Sequence, residues 1–178
     1  MGKSKAELEF CGKTLIEHQT EKLRLLGIDD IIVSGYPKPV EGTRFVADKY
    51  PLKGPLGGIH AGLSAAEHPH CLVLSVDAPL VPSETLAELI DSHVNGSANI
   101  TVVSHGGKLE PLIGMYERWL STVAEPILQS ENTSVRELFR KAGLTELEYS
   151  GDEALLINCN TPDEYEALSA IKKTKTTV

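Results

Sequence analysis

The chain has 178 residues, of which 41% are hydrophobic, and a formal net charge of −8 at pH 7. That length suits one compact unit, so residues 1–178 are expected to form a single domain, and the acidic balance argues against a nucleic-acid surface, which needs clustered cations to displace counterions from phosphates. No run approaches the ~20 apolar residues of a membrane helix, and MGKSKAELEF lacks the apolar stretch of a signal peptide, so a soluble, cytoplasmic protein without a membrane partner is expected.

In chain order, TLIEHQTEKLRLLG spaces Leu15, Ile16, Leu23 and Leu26 at helical intervals and ends at Gly27, suited to a left-handed cap. IIVS (31–34) and RFVA (44–47) carry the β-branched and aromatic residues of short strands. ADKYPLKGPLGGIHAGL (47–63) then brings Gly54, Gly57, Gly58 and Gly62 ahead of and into a helix. Glycines there let backbone N–H groups approach an anion, and the helix N-terminus adds about half a positive charge. The same glycines would equally serve plain turns and close helix packing. The segment fits neither G-x-x-x-x-G-K-[ST] nor G-x-G-x-x-G, which sets aside a P-loop NTPase and a dinucleotide oxidoreductase.

LVLSV (72–76) reads as a buried central strand and is followed by Asp77-Ala78-Pro79. SETLAELIDSHV predicts a helix with Ser83 as its N-cap and Leu86, Leu89 and Ile90 on one face. NITVVS (99–104) predicts another strand, and Gly106-Gly107 within SHGGKLEPLIGMY predicts an antiparallel hairpin or mixed-sheet excursion. LLIN (155–158) reads as a last short strand, and Thr161-Pro162-Asp163-Glu164 as a capped helix start. Strands alternating with helices predict an α/β fold: Rossmann-like, three-layer α/β/α, with a mostly parallel sheet. The cysteines Cys11, Cys71 and Cys159 are odd in number and far apart, which predicts reduced, buried thiols.

In open α/β sheets ligands bind at the carboxyl ends of the strands, and Asp77 falls at such an end. A carboxylate there either caps its own turn or holds a hard cation such as Mg²⁺, which takes one or two carboxylates and completes its shell with water and phosphate oxygens. His68 and His70 flank Pro69, and zinc binding there would need further ligands nearby.

Taken together, MGKSKAELEFCGKTLIEHQ, VADKYPLKGPLGGIHAGL, LVLSVDAPLVP, GKLEPLIGMY and NCNTPDEY, in this order, resemble the molybdenum cofactor guanylyltransferases, the MobA-type nucleotidyltransferases. The resemblance implies that the terminal phosphate of Mo-molybdopterin attacks the α-phosphorus of GTP, with Mg²⁺ as cofactor and pyrophosphate as leaving group. It implies that Lys5 neutralises nucleotide phosphates, that Asp48, Gly54 and Gly57 contact the nucleotide, that Asp77 binds the metal, and that Asn158 and Asn160 serve the pterin side. Transient contact with molybdopterin-delivering proteins or apo-molybdoenzymes is a further implication. Phosphoryl and nucleotidyl transfers ask little covalent chemistry of the protein, so a metal and a lysine around the α-phosphate can be the main apparatus.

The family begins with a buried strand and an L-A-G-G-x-S-x-R loop ahead of M-G-x-D-K, whereas this chain starts at the last of these pieces; Ser4 stands for the usual aspartate and Ser34 for a frequent asparagine. Without the first strand, two central neighbours are expected to lack a ladder partner. Two expectations follow: a start downstream of the true one, or a truncated, partner-dependent and non-catalytic relative. Rival substrates within the same fold are CTP, for a cytidylyltransferase of the same pterin, and a sugar phosphate.

Overall fold

The computed structural model describes residues 4–156 and residue 158. Asn160, Cys159 and the helix start expected at Thr161 lie outside the described residues. A short hairpin opens the fold: β1 (Glu9–Phe10) and β2 (Lys13–Thr14) are antiparallel and joined by Cys11 and Gly12, at φ 52° and 78°. Two consecutive left-handed residues match the natural twist of a tight hairpin. This geometry also corrects the expectation of buried thiols, because Cys11 sits at the turn tip and is exposed. Cys71 is half-buried, and burial pushes its thiol up to about 11.

Helix α1 (Leu15–Leu25) starts where the sequence dictates: the Thr14 hydroxyl accepts from the Glu17 N–H and the Glu17 carboxylate accepts from the Thr14 N–H at 2.8 Å. Such reciprocal capping satisfies donors that the first turn otherwise leaves open. The strands β3 (Ile32–Ser34) and β4 (Arg44–Val46) pair in parallel, followed by α2 (Pro55–Ala65) with Pro55 at its first position. Next come β5 (His70–Leu74), α3 (Ser83–Val94), β6 (Ile100–His105) and β7 (Lys108–Glu117). Helices α4 (Ser121–Leu128) and α5 (Val135–Ala142) and strand β8 (Thr145–Glu148) complete the fold.

The larger sheet has the order β5-β7-β6-β8. Strand β7 runs antiparallel to both β5 and β6, and β8 runs parallel to β6. The Gly106-Gly107 hairpin is therefore as expected, and it makes the sheet mixed, with less parallel pairing among the described residues than a mostly parallel sheet implies. Helices α2, α4 and α5 cover one face through Leu56, Ile59, Leu128 and Leu138, while α3 packs Leu86 and Leu89 against Val103, Ile113 and Met115 on the other. Leu86 and Leu89 are fully enclosed, and truncating either to alanine would cost about 2–5 kcal/mol.

Two local expectations are corrected. Pro82, not Ser83, occupies the N-cap position of α3, and no side chain caps that end. Proline already fixes an extended backbone there, which leaves serine as the first helical residue. The stretch 155–158 is not a strand where it is described: Leu155 and Leu156 belong to a 3-10 turn, Glu153–Leu156, with Leu156 plugged into the α3-side core.

Among the described residues the β3-β4 pair and the larger sheet do not join. Between the facing edges of β3 and β5 lies a cavity of about 590 Å³ lined by Val33 and Ser34 on one side, Val73 and Ser75 on the other, and Leu23 and Ile59 from the helices. This gap leaves β3 and β5 each with an edge that has no ladder partner among the described residues. It also explains why β5, expected to be buried, is only partly so.

Candidate active site

Asp77 follows β5 in a turn whose rigidity comes from below and from the side. Ala78 and Val81 are buried among Leu86 and Leu89, and the Ser75 N–H donates to the Leu112 carbonyl at 2.9 Å. Helix α1 contributes a polar clamp: Gln19 Nε2 donates to the carbonyls of Ser75 (2.7 Å) and Ala78 (3.0 Å). Lys22 Nζ donates to those of Pro79 (2.8 Å) and Val81 (2.7 Å), and the His18 ring lies 3.2 Å from the Pro79 oxygen. His18, Gln19 and Lys22, on one face of α1, thus supply donors to the carbonyls of a proline-rich turn whose own backbone bonds, Ala78 N–H to Ser75 and Val81 N–H to Ala78, are long at 3.5 Å.

The Asp77 carboxylate accepts from Ser75 Oγ on one oxygen and from Lys5 Nζ at 3.0 Å on the other. The lysine side chain is 43% exposed and the aspartate 18%. The structure therefore brings together the two residues that the sequence singles out from opposite ends of a 72-residue separation. Lys5 reaches this point because the N-terminal 3-10 turn Lys5–Glu7 is pinned by buried Ala6 and by the Tyr36 hydroxyl, which donates to Glu7 at 3.2 Å.

Asp48 stands across the gap. Its Oδ1 accepts from the Tyr50 N–H at 2.7 Å, so it does act as a turn former, while Oδ2 lies against the first turn of α2. A Cβ added at Gly57 would stand 2.6 Å from that oxygen and 2.9 Å from the Tyr50 carbonyl oxygen, so glycine is what permits the approach. Gly54, at φ 69° and ψ −160°, adopts a conformation essentially reserved for glycine. The loop between them is anchored at its base: Lys49 Nζ and the Tyr50 hydroxyl both donate to Glu125 Oε1 of α4, at 2.7 and 2.8 Å. At its tip, Leu52 is fully exposed at φ 66°, a strained position for a leucine. Asp48, Gly54, Ser34 and Gly35 line one side of the cavity, and Ser75 and Val76, next to Asp77, line the other.

With 147 residues accounted for, the chain matches the model of the MobA-like NTP transferase domain over residues 1–147. It belongs to the MobA-like nucleotidyltransferase family. A molybdenum cofactor guanylyltransferase of Pseudomonas fluorescens is 33% identical over 97% of this chain and 88% of its own length. The crystal structure of molybdopterin-guanine dinucleotide biosynthesis protein A from Archaeoglobus fulgidus superposes with a TM-score of 0.78 at 21% identity, covering 97% of this chain and 92% of that one. A manganese complex of Rv0371C from Mycobacterium tuberculosis gives a TM-score of 0.70 at 19% identity, over 95% and 93% of the two chains. The fold of this MobA-like chain is thus that of nucleotidyltransferases, and no described helix is long and apolar enough to cross a membrane.

A divalent cation fits the Asp77 turn in one specific sense. The turn offers one rigidly held carboxylate rather than a cage, which suits Mg²⁺, since that ion keeps several waters and borrows phosphate oxygens. Sequence reasoning missed the α1 clamp. His18, Gln19 and Lys22 are polar positions inside a helix read only for its apolar residues, and their burial, seen for Gln19 and Lys22, emerges only in the folded chain. Asn158 is half-buried beyond the last described turn.

Proposed function

We propose that this chain transfers GMP from GTP to the terminal phosphate of Mo-molybdopterin. In that reaction an oxygen of the pterin phosphate forms a bond to the α-phosphorus, the bond from the α-phosphorus to the bridging oxygen breaks, and pyrophosphate leaves. The nucleophile is already an ionised phosphate, whose second pKa is about 6, so no protein base is required. The observation that carries the reading is the Lys5–Asp77 pair, 3.0 Å apart on a braced turn at the carboxyl end of β5.

In this reading Asp77 supplies the carboxylate oxygen for Mg²⁺, whose chemistry there is neutralisation of phosphate charge. Lys5, half-exposed and tethered at the same carboxylate, faces the negative charge of the triphosphate. The first turn of α2 and the loop from Asp48 to Gly54 form the opposite wall, where Gly54 and Gly57 shape the backbone against which the nucleotide is placed and the N-terminal end of α2 favours its negative charge. Asn158 and Asn160 are assigned to the pterin side, and the names of the relatives support both substrates.

The test is product formation. Purified protein, both as the 178-residue chain and preceded by an apolar strand and a Gly-Gly turn, is incubated with Mg²⁺, Mo-molybdopterin and either GTP or CTP. The guanine dinucleotide is the expected product. Preference for CTP would move the reading to a cytidylyltransferase of the same fold, and absence of any dinucleotide from the extended chain would refute it.

A further inference from the structure

The amino end of β5, the length of the strand away from the Asp77 turn, gathers three side chains that the nucleotidyl-transfer chemistry does not use. His70 and Glu117 are direct partners in the antiparallel β5-β7 ladder, and His70 Nδ1 lies 2.8 Å from Glu117 Oε1. His93, in the last turn of α3, enters from the helix layer with its side chain wholly enclosed, and its Nε2 lies 3.4 Å from the same Oε1. The two imidazoles meet edge to face with centroids 5.6 Å apart. One donor atom from each of the three residues falls within 4.8 Å of the others.

The second observation is the state of His93. Its Nδ1 is engaged 2.9 Å from Thr101 Oγ1 of β6, whereas the buried Nε2 has no hydrogen-bond partner: the approach to Glu117 is an ion-pair distance without hydrogen-bond geometry. In the tautomer whose Nδ1–H donates to Thr101, the Nε2 lone pair faces a carboxylate oxygen. Two electron pairs aimed at each other inside a protein call for a cation between them.

We propose that His70, His93 and Glu117 form a binding site for a borderline divalent cation of the Zn²⁺ class, separate from the ion of the transfer reaction. The donor set decides the class: two imidazoles and one carboxylate suit Zn²⁺, whereas Mg²⁺ prefers all-oxygen surroundings. Tetrahedral ligands at ~2.0 Å stand about 3.3 Å apart, so the observed 2.8 and 3.4 Å separations to Glu117 need small adjustments, and the two imidazole nitrogens, within 4.8 Å of each other, close up as the ion binds. Thr101 acts as the outer partner that fixes the His93 tautomer. The fourth position opens to solvent on the side of His70, whose side chain is 39% exposed. Bound there, the ion ties the end of α3 to the paired starts and ends of β5 and β7.

Metal-free wild type, His70→Asn and Glu117→Gln are compared by equilibrium dialysis against ZnCl₂ in excess MgCl₂, with bound zinc counted by mass spectrometry and thermal midpoints recorded in parallel. His70 is exposed, so its replacement leaves the core intact. The expected result is one zinc per wild-type chain that raises the thermal midpoint, with affinity falling at least about tenfold in each variant. Wild type that binds no zinc, or His70→Asn that binds the same number of ions with the same affinity and midpoint shift, would overturn the proposal.

Discussion

Helix α2 holds three glycines whose surroundings differ enough to predict opposite outcomes for the same substitution. At Gly57 an added methyl would lie 2.6 Å from Asp48 Oδ2 and 2.9 Å from the Tyr50 carbonyl oxygen, about 0.9 and 0.6 Å inside the ~3.5 Å optimum for such contacts. The second contact is with backbone, so the α2 turn and the Asp48 loop must part. Overpacking of this kind costs about 1–3 kcal/mol. Alanine returns up to about 1 kcal/mol as a better helix former, leaving Gly57→Ala about 0–3 kcal/mol less stable than wild type. At Gly62 nothing lies within 4 Å of the added atom, so Gly62→Ala should gain about 0.5–1 kcal/mol. Urea titrations of the two variants measure both values, and for a chain of this size each kcal/mol moves the thermal midpoint by about 2–4 °C. Only Gly57→Ala should also weaken nucleotide binding, because it displaces Asp48. Equal stability of the two variants would refute the claim that Gly57 exists to let that carboxylate reach the helix.

Lys22→Met keeps the apolar stem of the side chain but removes two donors from the Pro79 and Val81 carbonyls; a loss of about 1.5–3 kcal/mol in denaturant unfolding is expected, together with reduced transferase activity as the Asp77 turn loosens. His60 is buried beside Tyr50, with Glu125, Lys49 and Asp48 as its charged neighbours, and burial outweighs the others to hold its imidazole below the ordinary 6.5. Since the folded form resists protonation more than the unfolded form does, stability should be full above about pH 6.5 and fall as the pH drops below it; His60→Leu should flatten that part of the stability profile measured by thermal melts.

The parts of this fold that could be read from sequence are those where local chemistry and tertiary environment agree. Gly27, at φ 79°, ends α1, Gly106-Gly107 turns the β6-β7 hairpin, and Leu86 and Leu89 bury one face of α3. Strand β8 gave no such signal: Thr-Glu-Leu-Glu is an exposed edge paired on one side with β6, so three of its four residues face solvent and carry no apolar run. Leu155 and Leu156 misled in the other direction, because two adjacent leucines serve a buried 3-10 turn as readily as a strand. At the site, Lys5 and Asp77 were legible through their motifs, and the structure brings them into contact. The α1 clamp was not, since nothing in the spacing of His18, Gln19 and Lys22 says that carbonyls of a distant turn will meet them. The His70, His93 and Glu117 cluster depends on strand register, His70 opposite Glu117, which composition and periodicity do not encode.

The central claim is that the carboxylate at position 77 carries the charge side of nucleotidyl transfer. Its most direct test is the steady-state rate of dinucleotide formation by Asp77→Asn as Mg²⁺ is titrated, beside a wild-type control of matched circular dichroism. The account predicts a loss of about 100-fold or more that added Mg²⁺ does not restore, because an amide keeps the shape of the turn but removes the charged ligand. A folded Asp77→Asn protein that works within a few-fold of wild type at the same Mg²⁺ concentration would contradict it.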